Sequence, residues 1–452
     1  MIPLLKPGGR IVPGVSRAAK VADSPVSPDE VDVVVVGGGI VGACTALELA
    51  ERGVGVLLCE KGVIAGEASG RAFGWIDSQF LDPAKRELIA RSKQLWESMN
   101  ERVGAETGYR KRGLLSLLPT EDDVAFAQGW LDSVKGAPGV DARIVSGGEL
   151  DDRLPPSEQN WTGALFQPSD ACVEPTLAAS AIVEAAKAKG AFVHQNCAVR
   201  GFEFEGGTIS GVVTEKGAIS CKSVVIAAAT WSPLLAGSVG IKLPQFQAHA
   251  SMMRIAPFDG PETSAWGPGY TWRRNLDGSY TLGAINGAVP ITPATIKNAF
   301  RLIPALRAMW DQVEPVFSLA TFMDHLTTPS KWPMDRESPF ERNRVIQPEI
   351  RHKVLDEVVK AVSRDFPSFE GHEDVERWAG VLTTTLDNTP IISQADSHPG
   401  LFLGTGFYYG LTMGPAAGEA LADLVVGNDT KIDLGNYRHS RFSDGTKLVF
   451  RQ

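Results

Sequence analysis

The sequence predicts an α/β fold, α+β over its whole length, in which a helix-flanked parallel sheet is joined to a separate antiparallel sheet. Three observations predict it. Near the N-terminus a β-branched run, a glycine-rich turn and a helical stretch follow one another directly. In the middle of the chain strands alternate with helices, the rhythm of a parallel sheet. From 245 to 328 the strands instead alternate apolar with polar residues, as in a sheet with one solvated face.

The first unit spans 31–60. Val33, Val34, Val35 and Val36 suit a strand buried on both faces. Gly37, Gly39 and Gly42 then stand at G-x-G-x-x-G spacing, a helix is predicted over 40–52 with Gly53 as its stop, and a second apolar strand over 54–59 ends at Glu60. A strand before the glycines, a helix after them and an acid closing the next strand make this a Rossmann-type dinucleotide turn. Gly37 permits the tight turn, Gly39 lets backbone approach a pyrophosphate, and Gly42 lets helix pack on strand. The amides of Ile40 and Val41 open the helix and face the phosphates, and Glu60 accepts from ribose hydroxyls.

Composition bounds the rest. A chain of 452 residues holds about two to four domains, at ~100–200 residues each. Net charge −9 disfavours nucleic acid and anionic membrane as partners, and no apolar run reaches the ~18 residues of a span. The five cysteines, Cys44, Cys59, Cys172, Cys197 and Cys221, form no C-x-x-C. They imply a reducing, cytoplasmic setting with no disulfide framework and no metal site. Residues 1–30 lack a signal-like apolar core and read as a loosely held leader.

The loop 61–75 is dense in small residues around Ser69, Gly70, Arg71 and Ala72, as needed beside a flat ligand. Asp82-Pro83 opens a helix to about 103. A strand over 114–118 and a helix over 120–134 follow, then a polar segment, a strand over 161–166 and an Ala-rich helix over 175–189. Short strands at 191–194, 198–204, 208–214 and 218–221 include a three-stranded flap. The apolar strand 223–229 enters Thr230-Trp231-Ser232-Pro233, a helix start. Strands at 270–275 and 280–283 flank the hairpin turn Asp277-Gly278. A helix over 293–309, a strand over 316–326, an irregular stretch over 329–350 and a helix over 352–366 follow. Strands at 375–381, 389–392 and 401–404 lead into T-G-F-Y-Y-G-L-T-M-G-P-A-A-G and a helix over 415–426. A strand, a glycine turn and a helix N-terminus thus recur at both ends of the chain, as two ends of one long ligand site.

Four motifs together resemble the FAD-dependent D-amino-acid oxidase/glycine oxidase/sarcosine oxidase superfamily, nearest its bacterial amine and amino-acid dehydrogenases. They are G-G-G-I-V-G with Glu60-Lys61, the loop G-E-A-S-G-R-A-F-G-W, the strand A-A-A-T-W-S, and W-A-G…T-G-F-Y-Y-G-L-T-M-G-P-A-A-G, spread over 31–442. The resemblance implies a noncontiguous FAD domain (31–112, 161–244 and 373–442) and a substrate domain (113–160 and 245–372), with 443–452 as a tail. It implies non-covalent FAD and oxidation of a C–N bond of an amino acid or secondary amine to an imine. It assigns FAD contacts to Gly37, Gly39, Gly42, Glu60, Lys61, Ser69, Gly70, Arg71, Ala72, Val199, Ala228, Trp231, Gly406, Gly410, Leu411, Thr412 and Met413.

The chain departs from the pattern in three places. Ala72 stands where many relatives have Asn, Ala229 replaces a glycine, and Thr412 and Met413 stand where sarcosine oxidases carry a lysine that assists reaction with oxygen. The last departure favours a dehydrogenase over an oxidase. Because the cofactor carries the hydride, no catalytic side chain is assigned. An arginine fork suits a substrate carboxylate, so Arg273 and Arg274, on opposite strand faces, are candidates of which one faces inward. Tyr408, Tyr409 and Trp75 are candidate pocket walls, and His249 and His325 candidate proton relays. Two rival readings are a flavin-holding subunit of a hetero-oligomeric amino-acid or opine-type dehydrogenase that passes electrons to a partner, and a pyridine-nucleotide dehydrogenase. A homo-oligomer is open as well.

Overall fold

The computed structural model of the protein describes residues 17–284, 287–308 and 313–451. A six-stranded sheet runs in the order Ile391–Gln394, Leu401–Thr405, Ser223–Ile226, Val33–Val36, Val56–Cys59, Phe192–His194. It is parallel except for Ile391–Gln394, which runs antiparallel to its neighbour. Val33–Val36 and Val56–Cys59 are buried throughout, as a strand covered on both faces requires. One face carries the helices Ile40–Glu51, Pro175–Ala188 and Gly410–Val426. The other carries the three-stranded antiparallel flap Val199–Glu205, Thr208–Thr214, Gly217–Ser220.

Val33–Val36 lies between Val56–Cys59 and Ser223–Ile226, so connections leave it on both sides. In such a sheet ligands bind beyond the carboxyl ends of the strands at that switch point. Three turns meet there: Gly37 after the first strand, Ala227 to Ala229 after Ser223–Ile226, and Gly406 after Leu401–Thr405. Thr405 Oγ1 ties two of them, donating to Gln245 Oε1 at 2.7 Å and Ala229 O at 3.2 Å.

The second sheet has ten strands, from Val313–Val316 through Gln245–Ile255 to Arg143–Val145. It is antiparallel apart from Leu114–Leu118 beside Ser264–Gly267 and Gly287–Pro290 beside Val313–Val316, which run parallel. Two strands that the sequence pattern grouped with the parallel sheet pair here instead. Gly163–Gln167 joins Leu114–Leu118, and Asp374–Thr385 joins Gln245–Ile255 along its length.

Other elements differ locally. The expected strand over 316–326 is the helix Leu319–Thr327, begun by Ser318, whose hydroxyl accepts from the Thr321 amide. Its Leu319, Met323 and Leu326 repeat at helical spacing and stay exposed. The helix over 293–309 is two, Pro293–Lys297 and Ala299–Ala308, and Met309 lies outside the described residues. The helix from Asp82 is broken into Pro83–Lys85, Arg86–Glu97 and Met99–Val103. The polar segment before 161 holds Arg143–Val145 and Gly148–Asp151. Of the leader, 1–16 lie outside the described residues, and 17–30 are pinned rather than loose. Arg17 pairs with Glu376 at 2.7 Å and stacks on Trp378, and Ser24 bonds Val193 in both directions. All five cysteines are free and buried. Among the described residues no helix is long and apolar enough to cross a membrane, and no acid, His or Cys cluster could hold a metal.

Candidate active site

The N-terminal turn is built as its glycines require. Gly37 sits at φ +113, and a Cβ there would meet Ala227 O at 2.5 Å. A Cβ on Gly42 would stand 1.9 Å from Gly37 O, so helix and turn touch through bare backbone. A Cβ on Gly39 would meet only Ser69 Oγ, at 3.1 Å, and this residue caps the helix Ile40–Glu51 with no side-chain hydrogen bond of its own. Glu60 is held by two amides, Gly38 N at 2.8 Å and Gly62 N at 2.7 Å. Burial raises its carboxyl above the ordinary range, against the pull of Lys61 and those amides. A half-buried acceptor fixed at this strand end, lining the cleft, is poised for hydroxyl donors.

A cleft opens from this turn. Gly37, Gly39, Glu60, Lys61, Ser69, Val199, Ala228 and Trp231 all line it. Phe340 also lines it and closes one wall. It stands on the short helix Pro339–Arg342 inside the stretch expected to be irregular. The signal was present in the sequence: S-P-F-E is a capping box with proline at N1, and Ser338 and Glu341 make it. Arg200 on the flap strand holds Glu341 at 2.6 Å, which seats Phe340 over the cleft.

The small-residue loop is not wholly open. Ala68–Arg71 is a helical turn. Ser69 Oγ accepts from Ile40 N at 2.9 Å, so the serine spends its acceptor on the helix start. A Cβ on Gly70 would meet Ala65 O at 2.2 Å. Arg71 does not point at an open phosphate position; it donates to Ile346 O at 3.0 Å and Ala379 O at 3.4 Å and is buried. Lys61 donates to Arg344 O at 2.5 Å and Asn343 O at 3.1 Å while its ammonium lies 4.4 Å from the Trp231 ring centroid. Both cations therefore tie the loop to the 343–346 and 379 backbone. Ala72 follows in extended conformation.

The C-terminal turn converges on the same place. The helix begins at Gly410, five residues before the expected start, and Pro415 lies within it. It can begin there because it crosses Ile40–Glu51 closely. A Cβ on Gly418 would meet Cys44 Cβ at 2.5 Å and Thr45 N at 2.8 Å, and one on Gly414 would meet Ile40 Cγ1 at 3.0 Å. Gly410, Gly414 and Gly418 recur every fourth residue, a small-residue stripe of which only Gly410 was expected at the site. The two helix N-termini, each a partial positive charge, thus open side by side. The side chains of Val41, Leu411 and Met413 are buried in the core, so these residues offer backbone only. Leu411 O accepts from Trp96 Nε1 at 2.8 Å. Ala229 keeps φ +43 without being glycine, strained backbone held by its bonds to Gln245 and Thr405.

Aromatic walls stand between the sheets. Tyr408 and Tyr409 meet edge to face at 5.0 Å, and Trp75 meets Phe73 at 4.7 Å. Trp75 Nε1 is a buried donor with no partner among the described residues. Asp77, two residues on, accepts from Thr412 Oγ1 at 3.1 Å. Nothing local singles out Asp77, which directly follows the two-residue strand Trp75–Ile76.

The arginine pair is corrected. Arg273 is buried and its fork is filled: Nη1 and Nη2 meet the Glu174 carboxylate at 3.0 and 3.3 Å, and Nε donates to Phe73 O. Arg274, on the opposite face, is paired with Glu262. Neither presents an open carboxylate site. His249 and His325 are near enough to interact, and burial first, then His325, lowers the His249 imidazole from its ordinary value. Neutral at physiological pH, it is not a charged partner for an anion.

Comparison with known proteins agrees with this geometry. The family described as FAD dependent oxidoreductase (DAO) matches residues 32–424. Glycine oxidase of Geobacillus kaustophilus (strain HTA426) is 26% identical over 423 residues, covering 91% of this chain and 97% of that one. Sarcosine oxidase subunit beta of Arthrobacter sp is 25% identical, covering 92% and 91%. The structure of L-amino acid deaminase from Proteus myxofaciens in complex with anthranilate superposes with TM-score 0.92 at 36% identity, covering 95% of this chain and 97% of that one. A parallel sheet with two helix N-termini at its switch point, and this match over most of the chain, have one reading: the chain belongs to the family of FAD-dependent oxidoreductases.

Proposed function

We propose that the enzyme oxidises the C–N bond of an amino acid or secondary amine to an imine, which water then hydrolyses. The observation that carries this reading is the pair of helix N-termini after Gly39 and Tyr409, packed side by side at the switch point of the parallel sheet, with a cleft opening from the first of them. FAD, when bound, supplies the hydride acceptor. The chain's residues hold and shape the site. Gly37, Gly39 and Gly42 admit the pyrophosphate to the first helix end, Glu60 accepts from ribose, and Val199, Phe340 and Trp231 wall the adenosine. The Gly410, Leu411 and Thr412 amides direct a partial positive charge to the ring end, which favours electron-rich flavin, while the Met413 amide closes the first turn on Tyr409 O. Tyr408, Tyr409 and Trp75 exclude water from the substrate side. The similarity to a glycine oxidase, a sarcosine oxidase subunit and an L-amino acid deaminase supports an amine-bearing substrate. Incubating the enzyme with amino acids and secondary amines in the presence of an artificial electron acceptor and assaying carbonyl product tests the proposal. Carbonyl release from at least one of them is expected, and none from the whole panel rejects it.

The FAD is held without a covalent bond. No cysteine follows Cys221 and no histidine lies between 31 and 74. Acid precipitation should leave all flavin in the supernatant; flavin retained in the pellet contradicts this. The electron acceptor in this reading is not oxygen, because Thr412, where an oxygen-activating lysine would stand, gives its hydroxyl to Asp77. Turnover should be faster with an artificial electron acceptor than with oxygen, and the reverse order would show an oxidase.

A further inference from the structure

We infer that Asp77 and the Trp75 indole N–H form the polar cradle for a zwitterionic substrate, Trp75 donating to its carboxylate and Asp77 taking a proton from its ammonium group. The inference rests on the proposed function and deepens it. With Arg273 and Arg274 committed to Glu174 and Glu262, recognition of an amino acid must come from other groups. Trp75 and Asp77 alternate with Ile76 along an extended segment, so their side chains share the face opposite the buried Ile76. Both are only half-buried, whereas Ile76 and Ser78 are fully buried, and the Trp75 indole nitrogen is itself buried without a partner among the described residues. The orphan donor of Trp75 and the carboxylate of Asp77 are complementary to the two ends of an α-amino acid.

The surroundings of Asp77 suit a proton acceptor. Thr412, at the start of the C-terminal helix, donates to Oδ1 and aims the carboxylate. Tyr408 and Tyr409 face it from the preceding turn, and burial followed by the Asp77 charge raises both phenols, so they stay neutral. Behind it lie Asp170 and Lys93, paired with each other at 2.9 Å. Burial first, then Asp170, pushes Asp77 up to about 6, against Thr412 and Lys93, which pull it down. Its proton affinity thereby approaches that of an ammonium group losing its own hydration. In the step, one N–H bond of the ammonium breaks and one O–H bond forms on Asp77. The substrate becomes a neutral amine whose lone pair can support loss of the Cα hydride.

The experiment is anaerobic flavin reduction by the best amino acid substrate as a function of pH, with binding of benzoate, a carboxylate without an amine, followed by flavin absorbance. In the wild type the reduction rate should fall as pH drops through about 6, because Asp77 is then protonated beforehand. Asp77→Asn should lose that limb and reduce roughly 100-fold or more slowly while binding benzoate as well as wild type or better. Trp75→Phe should weaken amino acid and benzoate alike by roughly 5- to 10-fold, the loss of one hydrogen bond to a charged group. Asp77→Glu, which keeps a carboxylate, should regain a low-pH limb. An Asp77→Asn enzyme that keeps both the wild-type rate and the limb overturns the inference. A wild type that no amine reduces rejects the proposed function itself.

Discussion

Gly39→Val yields a folded, colourless protein. Gly39 has φ −78 and ψ −179, extended backbone open to any residue, and its Cβ would meet only the Ser69 hydroxyl at 3.1 Å. The fold therefore accepts the substitution after a small shift of one side chain. The valine methyls would instead occupy the space over the helix N-terminus where the pyrophosphate must approach. FAD affinity should fall at least about 100-fold, roughly 3 kcal/mol, because phosphate contacts to that helix end are lost together. Gly42→Ala is the contrast. Its Cβ would lie 1.9 Å from Gly37 O, a backbone atom, so the fold itself must yield and insoluble protein is expected. Flavin content per chain and circular dichroism separate the two outcomes. Stoichiometric flavin in Gly39→Val would place the pyrophosphate elsewhere.

Arg273→Ala should cost about 3–5 kcal/mol of stability, the range for removing one partner of a buried ion pair. Glu174 would keep a mostly buried charge with the Leu276 amide at 3.0 Å as its remaining hydrogen-bond donor among the described residues, and Phe73 O would lose its donor. Arg274→Ala should stay within about 1 kcal/mol of wild type, because its pair with Glu262 is solvent-exposed. Denaturant unfolding of the two variants reads the difference directly. If Arg273→Ala were as stable as wild type but failed to bind carboxylates, the arginine would be a substrate ligand after all.

Legibility followed the range of the interactions. The first strand, turn and helix were readable because every cause sits within thirty residues: the valine run, the glycine spacing and Glu60. Gly406 to Met413 was legible as a glycine turn before a helix, but the helix starts at Gly410 rather than 415 because it crosses Ile40–Glu51 closely, a contact distant in sequence. Arg273 was misread because its partner, Glu174, is 99 residues away and nothing local distinguishes a strand arginine that meets a carboxylate from one that awaits a ligand. The stretch 316–326 expected as a strand holds Val316, Phe317 and Phe322, residue types that favour strands. The Ser318 cap and the spacing of Leu319, Met323 and Leu326 carried the opposite message, and the helix followed them. Gly163–Gln167 and Asp374–Thr385 were correct as strands and misplaced as partners, since sheet membership depends on pairing distant in sequence. Phe340 was missed although its capping box was visible. Asp77 was not visible at all, because its setting is made by Thr412, Tyr408 and Asp170, none of them near it in the chain.

The most direct test of the account is a single anaerobic turnover. Purified holoenzyme, without added pyridine nucleotide, is mixed with one equivalent of a responsive amino acid or secondary amine, and flavin absorbance and carbonyl product are measured together. The account predicts that the flavin bleaches and that one carbonyl appears for each FAD reduced. Flavin that stays oxidised with every amine tried, or that is reduced only by a nicotinamide, would contradict it.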